Sequence, residues 1–165
     1  RQTNAQLLGV DFDASYVFNK ALQFNHQASI VKGFDKIQEE ALINMPPVNT
    51  TNEIVYYSSK IKNLRLALQS EYVFRQNEFP NTDFPIYIPE TETQEIVEVS
   101  SPPPAYHLLN FNSSIDFNFS EQSTLTVDFQ ITNMLNTSYR NYLNRLRLFA
   151  DDLGRNFSVN IKLNY

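Results

Sequence analysis

Two histidines, an alternating run of glutamates and a short stretch in which tyrosine and arginine recur are the residues of this sequence best equipped for chemistry. His26 and His107 lie on different predicted strands, and no cysteine accompanies them. A zinc site needs several ligands at set spacing, and a lone histidine on a strand is more often a wall or girdle residue, so that is the expectation for each, with metal or haem ligation the minor reading. Zero Cys removes disulfides, cysteine zinc sites and thiol nucleophiles together. No serine sits in a Gly-x-Ser-x-Gly elbow. The expectation is a non-enzyme with no catalytic residue, no metal and no cofactor. Glu90, Glu92, Glu95 and Glu98 alternate with Thr91, Thr93 and Val97, the pattern of a small hairpin with a solvated acidic face; cation capture is the rival. Tyr139, Arg140, Tyr142, Arg145 and Arg147 offer more. Arginine presents a permanently charged planar fork suited to carboxylates and phosphates, so these five are candidates for binding an anion, against the alternative that they pack a loop onto a rim.

The elements that must carry these residues are strands, because apolar residues recur with period two and helical spacing wins nowhere for long. Leu8, Val10, Phe12, Ala14, Tyr16 and Phe18 alternate with polar residues, as do Leu22, Phe24, Ala28 and Ile30 after a minimal turn at Asn19 and Lys20. The same holds for Leu64–Phe74, Leu109–Phe119, Leu125–Ile131 and Phe157–Tyr165. A weaker strand spans Val48–Ser58, where Glu53 to Tyr57 does not reveal which face is apolar. That makes seven strands in all.

A soluble sandwich also alternates, and three features favour a membrane barrel over it. The runs are longer than the five or six residues usual in globular strands and suit the roughly 9 to 11 that a tilted membrane strand needs. Short connections at Phe18–Ala21, Tyr57–Asn63 and Ser120–Ser123 take turns with long ones at Phe34–Pro47, Asn77–Ala105 and Leu135–Leu153, the sorting of an outer-membrane barrel. The apolar rows are almost free of charge, the exceptions being His26 and Lys32 on the second strand, and a charge there costs about 2 to 4 kcal/mol at the bilayer midplane. Tyr16, Phe18, Tyr72, Phe74, Phe117, Phe119 and Tyr165 fall near strand ends, where an interfacial girdle belongs.

Composition agrees. Of 165 residues, 42% are hydrophobic, 13% aromatic and only 19% charged, with 3 Gly, which excludes disordered and collagen-like chains. A net charge of −5 leaves no basic surplus for tracking phosphates, so no nucleic-acid partner is expected. No run of 18 apolar residues predicts a membrane helix. The opening at Arg1 reads as a processed chain or a piece of one.

One stretch carries a family likeness. Residues 129 to 147, Phe-Gln-Ile-Thr-Asn-Met-Leu-Asn-Thr-Ser-Tyr-Arg-Asn-Tyr-Leu-Asn-Arg-Leu-Arg, followed by Gly154-Arg-Asn-Phe-Ser-Val and a terminal Tyr165, resemble the end of TonB-dependent outer-membrane receptors. Thr3-Asn-Ala-Gln-Leu-Leu-Gly-Val-Asp-Phe also looks like a barrel strand of that family, and Met45-Pro-Pro like the exit of an extracellular loop. The resemblance is specific in the last forty residues. It implies an all-β, antiparallel up-and-down transmembrane segment over residues 1–165, the last seven strands of a barrel of about 22 strands, with Ser123–Asn133 and Gly154–Tyr165 as the closing pair. The final strand then runs towards the periplasm, and all three long loops fall outside the cell.

Further expectations follow from the resemblance. The function implied is energy-coupled import across a Gram-negative outer membrane of a scarce solute such as a ferric siderophore or other metal chelate, since the ending resembles that branch more than the glycan-importing one. Tyr139, Arg140, Tyr142, Arg145 and Arg147 would meet the cargo or a lipopolysaccharide phosphate at the outer mouth. Arg65, Glu71, Arg75, Asp116, Asp128 and Lys162 would face the lumen and pair with one another or with a plug domain. Ile161, Leu163 and Tyr165 would form the C-terminal signal read by the barrel assembly machinery. Implied partners are the rest of the barrel and its plug, the TonB energising complex acting through the plug, outer-membrane lipid, and, as an open question, a surface lipoprotein. The family's plug and TonB box are missing from these residues, and seven strands do not close a barrel of this kind, so a fragment or one part of a split receptor is expected. The rival of another class is a soluble extracellular β-sandwich binding glycans or serving adhesion; a third is a small autonomous barrel with one strand outside the chain.

Overall fold

The computed structural model describes residues 4–120 and 122–165; Thr3, which opens the likeness in the first strand, lies outside them. Among the described residues there is no helix, and ten strands form in chain order. They are β1 (Ala5–Asn19), β2 (Leu22–Asp35), β3 (Glu40–Ala41), β4 (Asn49–Tyr57), β5 (Leu64–Val73), β6 (Phe84–Ile88), β7 (Thr93–Val97), β8 (Tyr106–Asn118), β9 (Thr124–Thr132) and β10 (Asn156–Asn164).

Seven of these make one antiparallel up-and-down sheet in the order β1, β2, β4, β5, β8, β9, β10, with β3 a two-residue addition to the end of β2. These seven are the strands that alternation predicts, with ends adjusted by a few residues. The weak run at Val48–Ser58 is β4, and its pairing resolves the ambiguity left by the sequence: Ile54 lies opposite Phe24 and Leu68, whereas Glu53 lies opposite Asn25 and Gln69. Three tight turns share one rim, the first held by the Asn19 side chain, which accepts from the amides of Ala21 and Leu22. The three long loops share the other.

Register carries one apolar row across the whole sheet. Phe24, Ile54, Leu68 and Phe111 stand side by side, followed by Ile131 and Phe157. Ile54, Leu68 and Phe157 of this row are exposed and the other three half-buried, and no second sheet covers it among the described residues. The buried apolar side chains of the strands, Val55, Ala67, Val73, Tyr106 and Leu108, all belong to the opposite parity. A sandwich requires the reverse, an apolar face packed against a partner sheet. Aromatics edge the exposed face at both ends: Tyr16 and Phe18 meet edge to face at 4.8 Å near the turns, and Tyr72 and Phe74 at 4.7 Å near the loops. Lys32 interrupts the row only at its loop end, where it pairs with Glu78. His26 makes a 2.8 Å hydrogen bond to the Asn52 side chain within the wall.

β1 and β10 each have one neighbour, so the sheet has two open edges. The glutamate run forms its expected hairpin, β6 and β7, turning through residues 89–92 with Glu92 at φ 54.

Candidate functional site: the long-loop rim and the concave face

The face opposite the apolar row is concave, with hollows lined by Asn25, Thr51 and Glu53 and by Arg65, Gln69 and Asn112, and it carries a polar ladder that crosses five strands. Ser15 and Gln23 both donate to Asn25 Oδ1, at 2.9 and 2.7 Å, and Asn25 donates to Glu53 Oε2 at 2.8 Å. Arg65 then bridges Glu53 Oε1 and Asn112 Oδ1, each at 3.1 Å. Glu53 is the pivot of this ladder and was not singled out in the sequence, because the parity of its strand was unreadable. Its signal was available only through the pairing partner, Asn25 in a cleanly alternating strand.

The six predicted lumen residues lie on this face or at its rim, but among the described residues none forms an ion pair with another of the six. Arg65 pairs with Glu53 instead. Asp116 accepts from Thr126 Oγ1 at 2.7 Å. Asp128 stands opposite Ser114 and Asn160, and Lys162 opposite Thr126. Glu71 lies beside Leu108 in register, near the Tyr106 and Tyr139 rings. Arg75 lies beyond the end of β5, lining a cavity of about 160 Å³ with Lys32, Gln76 and Glu78. The alternating signs are thus spaced by neutral residues, and within the wall charge is satisfied by the Glu53–Arg65 pair together with Asn25, Asn112 and Thr126.

The tyrosine and arginine stretch sits in the loop between β9 and β10, and the structure gives most of it work inside that loop. Arg140 Nε donates to Asp151 Oδ1 at 2.6 Å and its Nη1 to the Arg147 carbonyl at 3.0 Å. Arg147 lies over the ring of buried Tyr142 at 4.6 Å, donates to the Tyr142 carbonyl at 2.8 Å, and reaches the Val99 carbonyl of the neighbouring loop at 3.4 Å. Tyr139 packs on Tyr106, the rings tilted by 39° with centroids 4.6 Å apart, against Val73 and Leu108. Burial, then the charges of Asp152 and Glu71, raise the Tyr139 phenol above its ordinary value. Asp151 is held below the ordinary carboxylate range, first by the Ser138 hydroxyl and then by Arg140. Of the five, Arg145 alone is exposed and without a hydrogen bond or ion pair among the described residues.

Two asparagines explain why this loop has its sequence. Asn133 and Asn136 hold left-handed backbone, at φ 51 and 55, which asparagine tolerates better than most residues. The Asn133 side chain exchanges hydrogen bonds with Thr137, accepting from its amide and donating to its carbonyl, both at 2.8 Å. Asn136 Oδ1 accepts from the Arg155 amide at 2.9 Å, across the mouth of the loop. A Cβ on Gly154 would lie 2.7 Å from that oxygen, so the glycine is there to let the two loop ends touch.

The other long loops interlock with this one. Gln76 donates to the Met45 carbonyl at 2.8 Å, tying the loop after β5 to the one after β2. Asp83 Oδ1 accepts from the amides of Ser100 and Val99, both at 2.8 Å, and chiefly Ser100, then Val99, holds its carboxyl below the ordinary range. Ile161 and Leu163 lie on the exposed face of β10, and Tyr165 follows it, almost wholly exposed.

No protein-family model matches the chain, and no curated protein matches its sequence. The solved structure of the copper transporter OprC is similar to it with a TM-score of 0.74 and 14% sequence identity, over 99% of this chain and 23% of that one. The chain therefore spans under a quarter of that protein's length, and it has the fold of a stretch of the OprC chain.

Proposed function

We propose that the chain is a section of barrel wall, the closing seven strands, of an energy-coupled outer-membrane transporter of the TonB-dependent receptor type that imports a metal chelate or metal ion. The observation that carries this reading is the inverted burial. One face presents a continuous apolar row to the outside, the other carries hydrogen-bonded polar side chains, and lipid on one side with a wet lumen on the other accounts for both. The open edges of β1 and β10 fit the same account, since unpaired N–H and C=O groups in lipid cost several kcal/mol each and call for further strands to close the wall.

The likeness to OprC supports metal cargo as the class, with ferric siderophores one member of it. In this reading the interlocked long loops face the exterior and hold a capture surface in place. The concave face receives a plug, whose displacement by TonB opens the path. The role is non-enzymatic, and the barrel assembly machinery would recognise Ile161, Leu163 and Tyr165. A deletion of the full gene in its Gram-negative host, followed by uptake of radiolabelled ferric siderophores and of copper, tests the function. Loss of uptake of one of these, restored by the intact gene, is expected; unchanged uptake of every metal form under metal starvation contradicts it.

A further inference from the structure

The hairpin of β6 and β7 is the one pair of strands among the described elements that contacts no other strand. Its base is pinned by the Asp83 bonds to Val99 and Ser100 and by Arg147 at the Val99 carbonyl, and beyond that it stands free. Register puts Phe84, Ile86 and Ile88 on one face with Val97, and Pro85, Tyr87 and Ile96 on the other. Both faces are open: Phe84 is 48% exposed, Tyr87 59% and Ile96 70%. An isolated two-stranded hairpin is marginal in water, and free edges with apolar faces are usually blunted by lysine. This one carries none. From residue 76 to residue 138 there is no lysine or arginine at all, while Glu90, Glu92, Glu95 and Glu98 surround the hairpin tip and edge.

We infer that this hairpin is a docking blade for a second protein that adds a cationic strand to the free edge of β7. The chemistry selects that occupant. A second copy of the blade brings the same four negative charges, and the phosphate surface of the outer leaflet is anionic too, so both are repelled. A bound cation is not favoured either, because no group of three metal-ligating side chains converges among the described residues. A strand of alternating lysine or arginine and apolar residues satisfies all three features at once: main-chain hydrogen bonds to β7, apolar contact with Tyr87 and Ile96, and charge pairing with the glutamates. Pro85 lies in β6, where it removes a donor, and β7 has no proline, which makes β7 the edge that can pair.

This inference rests on the proposed outward direction of the long-loop rim, and the test separates the two. In cells making the full receptor, Arg145→Cys is labelled with a membrane-impermeant maleimide, which reports direction alone. In outer-membrane vesicles of the same protein, binding of a synthetic (Lys-Val)4 peptide is measured beside a (Glu-Val)4 control. The Lys-Val peptide is expected to bind and the control not. Replacing the four glutamates with glutamine is expected to weaken binding about tenfold or more and to flatten its salt dependence. Ile96→Pro, which removes an edge donor, is expected to weaken it as well. A photo-crosslinker at Ile96 in cells is expected to join the receptor to another polypeptide, and the four-glutamine variant to lose that product. Equal binding by the wild type and the four-glutamine variant, or a crosslink confined to the receptor's own loops or to lipopolysaccharide, overturns the inference. Failure of Arg145→Cys to label overturns the outward direction instead.

Discussion

Ile54 and Val55 are consecutive in β4 and opposite in environment: Ile54 is 51% exposed on the apolar row and Val55 is 1% exposed on the concave face. The larger aliphatic side chain is the one left outside. Water alone as the surrounding solvent gives no reason for that choice, and lipid does. Ile54→Lys is therefore expected to destabilise the full-length barrel in lipid by about 2 to 4 kcal/mol, read from urea titrations of vesicle-embedded protein. Val55→Ala is expected to cost about 1 to 2 kcal/mol through lost packing in lipid and in detergent alike. A larger effect at Val55→Ala than at Ile54→Lys would reverse the assignment of faces.

The bridge from Glu53 through Arg65 to Asn112 should be energetically coupled. Both ionic side chains are partly exposed, so the pair contributes modestly, and a double-mutant cycle of Glu53→Gln and Arg65→Ala is expected to give about 1 kcal/mol or less. The measurement is again chemical unfolding of the embedded barrel. Strict additivity of the two variants would show that the bridge contributes nothing.

Gly154 and Asn136 make a contact that can be relieved from either side. Gly154→Ala is expected to destabilise the loop between β9 and β10 by about 1 to 3 kcal/mol through overpacking. Asn136→Gly keeps the left-handed backbone available and removes the obstructing oxygen, so the alanine should cost less than half as much in that background. Limited proteolysis within residues 140–150 reports both. An equal penalty in the two backgrounds would mean that the clash is not with Asn136.

The same loop has a defined acid limit. Because Asp151 titrates below its ordinary value in the folded loop, its contribution is fully present at neutral pH. That contribution is lost only as pH falls through the depressed value. Protease resistance of the loop should hold through mildly acidic conditions and fail below the ordinary carboxylate range. Asp151→Asn should weaken the loop at neutral pH and remove that share of the acid dependence. A loop that opens near pH 6 in the wild type would point to another group.

The strands and the sorting of loops were legible because each cleanly alternating run writes its two faces into the sequence. Glu53 to Tyr57 was illegible for the complementary reason: apolar Val55 and Tyr57 share the concave face with Glu53, so local parity conflicts and only the neighbouring strands decide. The tyrosine and arginine stretch was visible as chemistry, but not its use. What binds Arg140 and Arg147 is a carboxylate eleven residues on and carbonyls in the same and the next loop, contacts that composition and spacing do not encode. The turn made by Asn133 and Asn136 was seen as a motif without its physical cause, which is backbone handedness.

In the proposed barrel, lipid meets one parity of the wall and water the other. Single spin labels placed from residue 50 to residue 57 of the full-length protein, in native outer-membrane vesicles, test this directly. Collision with oxygen dissolved in the bilayer should peak at Asn52, Ile54 and Tyr56, and collision with a water-soluble nickel chelate at Thr51, Glu53 and Tyr57. The two profiles should alternate out of phase with period two. Uniform access of the nickel chelate to both parities would contradict the membrane wall.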